Sequence, residues 1–275
     1  MSKDATTSAP PVTEYATSAD GTRIAFERDG DGPVLLLVDG ALCYRDFGPA
    51  RPVTAALRDR FTVVSYDRRG RGASGDTAPY AAVRELEDLA AVATSINADY
   101  VLGQSSGAAL AYRAAAAGLI APTKLAGYEA PYVGAHPDKK GKPRDYVGDL
   151  KALLAEGRND KAVDYFMVTM VEGPWFLPLM MRTMGKNWTK LKAVATTLPN
   201  DATVMGDWSV PVDEFARISV PTLVMGGSKS AAPMAEAQVR IAATIPGAQH
   251  RVLAGQTHNV SPAALRTEVV PFFLG

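Results

Sequence analysis

Short apolar runs of branched residues, each followed by a helix-like stretch, recur along this chain and constrain its fold more than any other feature. "TRIAFE" (22–27) reads as a strand and "PVLLLVDG" (33–40) as a buried one. "FTVVSYD" (61–67), "YVLG" (100–103), "KLAGYE" (124–129), "PTLVMGG" (221–227) and "HRVLAG" (250–255) continue the series. Helical patterns fill 83–96, 106–119 and 232–245, and a last one over 262–274 closes the chain. Strands that are apolar along their whole length have both faces covered. A mostly parallel sheet with helices on either side is therefore predicted.

The rhythm stops between about 134 and 215. Six of the nine methionines and all three tryptophans lie between 167 and 208, many of them in "MVTMVEGPWFLPLMMRTMGKNW" (167–188). A helical cap inserted over 134–215 is expected, dividing the core into 13–133 and 216–275. Its apolar residues either pack the insertion onto the sheet or form an adaptable pocket wall, because methionine fills irregular shapes. Trp175, Met180 and Met184 are the candidates for such a wall.

Charge and cysteine content exclude several function classes. Basic and acidic residues number 29 each, which gives no electrostatic reason to expect nucleic acid or a membrane surface as partner. Cys43 is the single cysteine, so neither an intrachain disulfide nor a cysteine-rich metal site can be built. "MSKDATTSAPP" lacks the apolar core of a signal peptide, and no later apolar run reaches membrane-spanning length. A cytoplasmic location is expected, with 1–12 a disordered tail. The partner expected is a small-molecule substrate, and the oligomeric state is open. Histidine chemistry has only His136, His250 and His258 to draw on.

Gly103-Gln104-Ser105-Ser106-Gly107 fits G-x-S-x-G, with a strand before it and a helix after it. A tight turn with a serine near a helix cap has the same composition. In the other reading Ser105 sits on a strained turn that pushes its hydroxyl above the sheet, and both flanking glycines are needed because larger residues would collide with the neighbouring strand and helix. Ser106 would then contribute only its backbone N–H at the helix N-terminus, and Ser106→Ala is expected to keep most activity.

The order of "VDGAL" (38–42), "YDRRGRGAS" (66–74), "GQSSGA" (103–108) and "GQTH" (255–258) resembles the α/β-hydrolase superfamily from about residue 20 to 275. The resemblance implies an eight-stranded, mostly parallel sheet with a helical cap between strands 6 and 7. It makes Asp67, Arg69, Gly70, Gly72 and Ser74 scaffold, Ser105 the nucleophile and His258 the general base. It assigns the oxyanion hole to the N–H groups of Ala41 and Ser106. Asp39 stands where the family usually carries histidine; backbone donors survive that change, but a carboxylate near an anion site is unfavourable.

The usual acid after strand 7 falls near Ser230, and no Asp or Glu lies between Pro221 and Glu236. Some superfamily members carry the acid at the end of strand 6 instead, where this chain has Glu129. A carboxylate there has two readings, the third member of a triad or a capping or salt-bridging group at the cap entrance. On the first, Ser230→Ala is expected to be nearly silent. Hydrolysis of an ester, thioester or lactone of a small, largely apolar substrate follows from the resemblance, with no metal or organic cofactor implied. Non-ester chemistry (C–C hydrolysis, perhydrolysis or a non-hydrolytic step) and a ligand-binding module on the same scaffold are the alternatives.

Overall fold

The computed structural model describes residues 12–137, 140–183 and 185–275. The expected tail over 1–12 lies almost wholly outside the described residues, and so does Met184. The strands are β1 (Glu14–Thr17), β2 (Arg23–Asp29), β3 (Val34–Val38), β4 (Thr62–Tyr66), β5 (Tyr100–Gln104), β6 (Lys124–Tyr128), β7 (Thr222–Gly227) and β8 (Gln249–Leu253). They form one eight-stranded sheet in the order β1-β2-β4-β3-β5-β6-β7-β8. β2 runs antiparallel to β1 and β4, and every pairing from β4 to β8 is parallel.

β3 shows why its run reads as continuously apolar. Successive side chains alternate between the two faces of the sheet, and both faces are covered. Leu36 and Val38 join the core beneath α2 (Ala82–Ile96) and α3 (Ser106–Ala116), while Leu35 and Leu37 join a second core beneath α1 (Ala50–Leu57) and α11 (Pro262–Leu274).

The chain between β6 and β7 is helical. It contains α4 (Tyr146–Ala155), α5 (Asn159–Tyr165), α6 (Leu177–Arg182), α7 (Lys186–Val194), α8 (Leu198–Met205) and α9 (Val212–Phe215). A π-helical turn, Phe166–Met170, follows α5, and a 3₁₀ turn, Ala195–Thr197, precedes α8. α8 is the most deeply seated of these elements, burying Leu198, Ala202, Val204 and Met205. Arg113 of α3 ties it down by donating to the Val204 carbonyl at 2.6 Å. α10 (Ala232–Thr244) packs beside β7 and β8. Among the described residues, no helix is long and apolar enough to cross a membrane.

Candidate active site

The site is assembled at the carboxyl ends of β3, β5 and β6 and in the loop after β8. Where β5 gives way to α3, Ser105 has φ 56° and ψ −130°, a conformation that costs an L-residue about 1–3 kcal/mol and persists only when its surroundings impose it. Two glycines impose it here. A Cβ on Gly103 would lie 2.5 Å from the Ala108 Cα, and one on Gly107 would lie 2.1 Å from the Val38 carbonyl oxygen. The turn therefore packs α3 directly against β5 and β3. Gly40 completes the close approach, since a Cβ there would stand 2.8 Å from the Ser105 Cβ.

His258 Nε2 lies 3.1 Å from Ser105 Oγ, and Nδ1 lies 2.8 Å from Glu129 Oε2. Glu129 follows β6 with a left-handed φ of 47°, and its side chain is fully buried. Its other oxygen, Oε1, accepts from the Gly227 N–H at 2.7 Å and from the Ser230 hydroxyl. Burial by itself would raise the Glu129 carboxyl. The hydrogen bonds from His258, Ser230 and the Gly227 N–H outweigh it and hold the group below the usual range. An ionised Glu129 only accepts, so the Nδ1 facing it carries the ring proton, and Nε2 of the neutral ring is left to accept from Ser105. The loop bearing His258 is anchored at the two residues that precede it. Tyr128 donates to the Thr257 carbonyl at 2.5 Å, and the Lys229 N–H donates to the Gln256 carbonyl at 2.9 Å.

The structure thus brings Ser105, His258 and Glu129 into one hydrogen-bonded line. Ser230, whose replacement by alanine was expected to be nearly silent, donates its hydroxyl to the carboxylate. His136 and His250 lie elsewhere, His136 against Glu172 and His250 in β8. Beside the line stand Ala41 and Ser106. Among the described residues neither backbone N–H has a hydrogen-bond partner. The Ser106 N–H is one of the four that every helix N-terminus leaves open. The Ser106 side chain departs from expectation. Its hydroxyl is buried, donates to Asp201 at 2.8 Å and accepts from Arg68 at 3.2 Å.

Trp175 and Met180 are surface residues, 80% and 54% exposed. Trp175 lines an open groove of about 700 Å³ between α5, the π-helical turn and α6, which Ser105, Glu129 and His258 do not line. The His258 side chain is 46% exposed, so the Ser105–His258–Glu129 line opens to solvent. Among the described residues no group of three or more His, Cys, Asp or Glu side chains converges to hold a metal ion.

Sequence reasoning missed the buried residues behind the site. Arg68 and Arg71 were visible as two extra arginines in "YDRRGRGAS", and Asp201 as the lone carboxylate of α8. What joins them is spatial and has no local signature.

A parallel sheet with one antiparallel strand near its edge, a serine on a strained strand-to-helix turn and a histidine after the last strand define the α/β-hydrolase class. The model of the alpha/beta hydrolase family matches residues 34–269, and the chain belongs to that family. It is similar to the crystal structure of an alpha/beta hydrolase from Sphaerobacter thermophilus DSM 20745, with 47% identity, 94% of this chain and 100% of that chain covered, and a TM-score of 0.86. An esterase from Rhodococcus sp. ECU1013 shares the fold at 20% identity, with 96% and 98% covered and a TM-score of 0.69. The enol-lactonase from Burkholderia xenovorans LB400 does so at 21% identity, with 95% and 99% covered and a TM-score of 0.68.

Proposed function

We propose that the chain is a serine hydrolase that cleaves an ester, thioester or lactone through an acyl-enzyme. The observation that carries this reading is the line Ser105–His258–Glu129, with contacts of 3.1 and 2.8 Å, beside two backbone donors unpaired among the described residues.

Ser105 Oγ attacks the substrate carbonyl carbon while its proton passes to His258 Nε2. The carbonyl oxygen becomes an oxyanion held by the Ala41 and Ser106 N–H groups, helped by the positive end of α3. Glu129 stays ionised and stabilises the imidazolium through Nδ1. The tetrahedral intermediate collapses as Nε2 returns the proton to the leaving oxygen or sulfur, leaving the acyl group on Ser105. Water, deprotonated by the same nitrogen, then releases the acid and regenerates the serine. The exposure of His258 gives that water a route.

A fluorophosphonate probe and a panel of p-nitrophenyl esters test the reading. The expected result is one label, on Ser105, together with ester turnover, both abolished in Ser105→Ala. A folded parent that neither labels nor turns over any ester contradicts it and favours the binding-module alternative. Labelling without turnover of any ester points to the non-ester chemistry.

A further inference from the structure

Arg68 and Arg71 flank the scaffold arginine Arg69, yet they do different work. Arg69 turns to Asp88 and Asp20. Arg68 and Arg71 converge on Asp201 of α8, with Nη···O distances of 2.8 and 2.6 Å, and all three side chains are at most 3% exposed. Arg71 Nη1 also donates to the Gly40 carbonyl at 2.7 Å and to the Cys43 carbonyl at 3.2 Å. Those two carbonyls bracket Ala41. Arg68 Nη1 donates to the Asp39 carbonyl at 3.3 Å and to the Ser106 hydroxyl, which Asp201 also holds.

We propose that Arg71, anchored by Asp201, is a positioning residue that aims and polarises the Ala41 oxyanion donor, so that the seat of α8 sets the strength of the oxyanion hole. The inference rests on the hydrolase reading above. Its core is the geometry of one peptide unit. The Gly40 carbonyl and the Ala41 N–H belong to the same trans peptide plane and point in opposite directions. A guanidinium fixed on the carbonyl therefore fixes the direction of the N–H away from itself. It also draws electron density through the amide, which makes the N–H a stronger donor. The next residue, Leu42, has a left-handed φ of 61°, a conformation that must be imposed from outside. Arg71 imposes it by gripping the chain on either side. Asp201 in turn fixes Arg71: burial alone would raise its carboxyl, but the two guanidiniums and the Ser106 hydroxyl hold it ionised. The same carboxylate is linked to both donor-bearing segments, to the Gly40–Ala41 peptide through Arg71 and to the Ser106 hydroxyl directly.

The test compares Arg71→Lys and Asp201→Asn with Arg69→Lys, a buried arginine whose carboxylate partners do not reach the Ala41 loop. Steady-state hydrolysis of p-nitrophenyl acetate is measured per folded protein, together with melting temperature and the Ala41 amide resonance in a ¹H–¹⁵N spectrum. Losing a whole oxyanion donor costs about 10²–10³ in kcat, so a mis-aimed one is expected to cost about 10- to 100-fold, with KM within about threefold. The Ala41 resonance should move in both variants. Arg69→Lys should lose at least as much melting temperature while kcat and the Ala41 resonance hold. Should Arg71→Lys and Asp201→Asn fail to fold, Thr197→Val carries the same prediction as a several-fold kcat loss, because Thr197 Oγ1 accepts from Arg71 Nε at 3.1 Å. Unchanged kcat per folded protein in these variants, or an equal kcat loss in Arg69→Lys, overturns the inference. A parent with no fluorophosphonate labelling sinks the hydrolase reading instead, and the Ala41 resonance then decides whether Arg71 sets that amide.

Discussion

At the scale of single residues, the proposed acid lies one strand over from the usual place and has its own support there. In the family pattern a carboxylate is expected near Ser230; here Ser230 donates its hydroxyl to Glu129, and Glu129 reaches His258. Glu129→Gln should lower kcat by about 10⁴-fold, as loss of the triad carboxylate does elsewhere, because the ring loses both its tautomer and the partner of its charged form. A variant as active as the parent would remove Glu129 from the triad. Ser230→Ala is the finer probe. It removes one hydrogen bond to a buried, ionised carboxylate, a contact of about 1.5–3 kcal/mol. The expected result at pH 7 is a lower melting temperature and a kcat loss of less than about tenfold. Because this bond favours the ionised form, its contribution is present above the ordinary Glu129 value of 4.5 and is lost as pH falls through the lower folded value. The stability gap should therefore close in acid. A gap independent of pH would mean that Ser230 supports packing alone.

At the scale of elements, the core and the helical insertion between β6 and β7 were legible, but which side chains of the insertion face inward was not, because that signal is spatial. Strands β3 to β7 are buried along most of their length, so each carries an apolar run. β1 escapes that rule: it is a four-residue edge strand with one buried residue, and its sequence, Glu-Tyr-Ala-Thr, carries no apolar run. α1 escapes it too, having no side-chain hydrogen bond at its N-cap and only eight residues. The turn between β5 and α3 was readable because glycine is the only residue that fits at Gly107. Gly107→Ala forces a Cβ to 2.1 Å from a β3 carbonyl, and it should destabilise the chain by about 3 kcal/mol or more in denaturant unfolding, the upper end of overpacking costs. In the helical insertion the concentration of methionine and tryptophan suggested a pocket wall, but exposure depends on the facing helices, which composition does not reveal. At 80% exposure, Trp175→Ala should change stability by no more than about 0.5 kcal/mol. A larger loss would mean that Trp175 is packed more tightly than its exposure indicates. If relative rates across short and long acyl esters do change, Trp175 belongs to the path of the substrate. The link between Arg71 and Asp201 spans 130 residues, a separation at which no local pattern operates.

At the scale of the whole molecule, the buried charges give stability two opposing dependences on pH. Asp201 and Glu129 are held below their ordinary values by guanidiniums and hydrogen bonds. Each adds stability that is present near neutrality and is lost as acid protonates it. Asp39 works the other way. It stands beside Gly40, where the family usually has histidine, and burial pushes its carboxyl up to about 7 despite the nearby Arg71 and Arg68. Between the unperturbed value of 3.8 and about 7, the folded chain keeps a proton that the unfolded chain has released. Stability therefore falls as pH rises through that window and levels off above it, by an amount on the order of 4 kcal/mol. While Asp39 keeps its proton it adds no negative charge of its own beside the loop that carries the Ala41 N–H, and this is how a carboxyl is tolerated at that position. Asp39→Asn keeps the shape and removes the titration. Its melting temperature should exceed that of the parent at pH 8, and the excess should shrink steadily as pH falls toward 4. Melting curves of both proteins across that range check the expectation. An equal difference at pH 5 and pH 8 would show that Asp39 is already ionised in the folded chain, satisfied by Arg68 and Arg71, and that the family's histidine was exchanged for a member of the buried ion network.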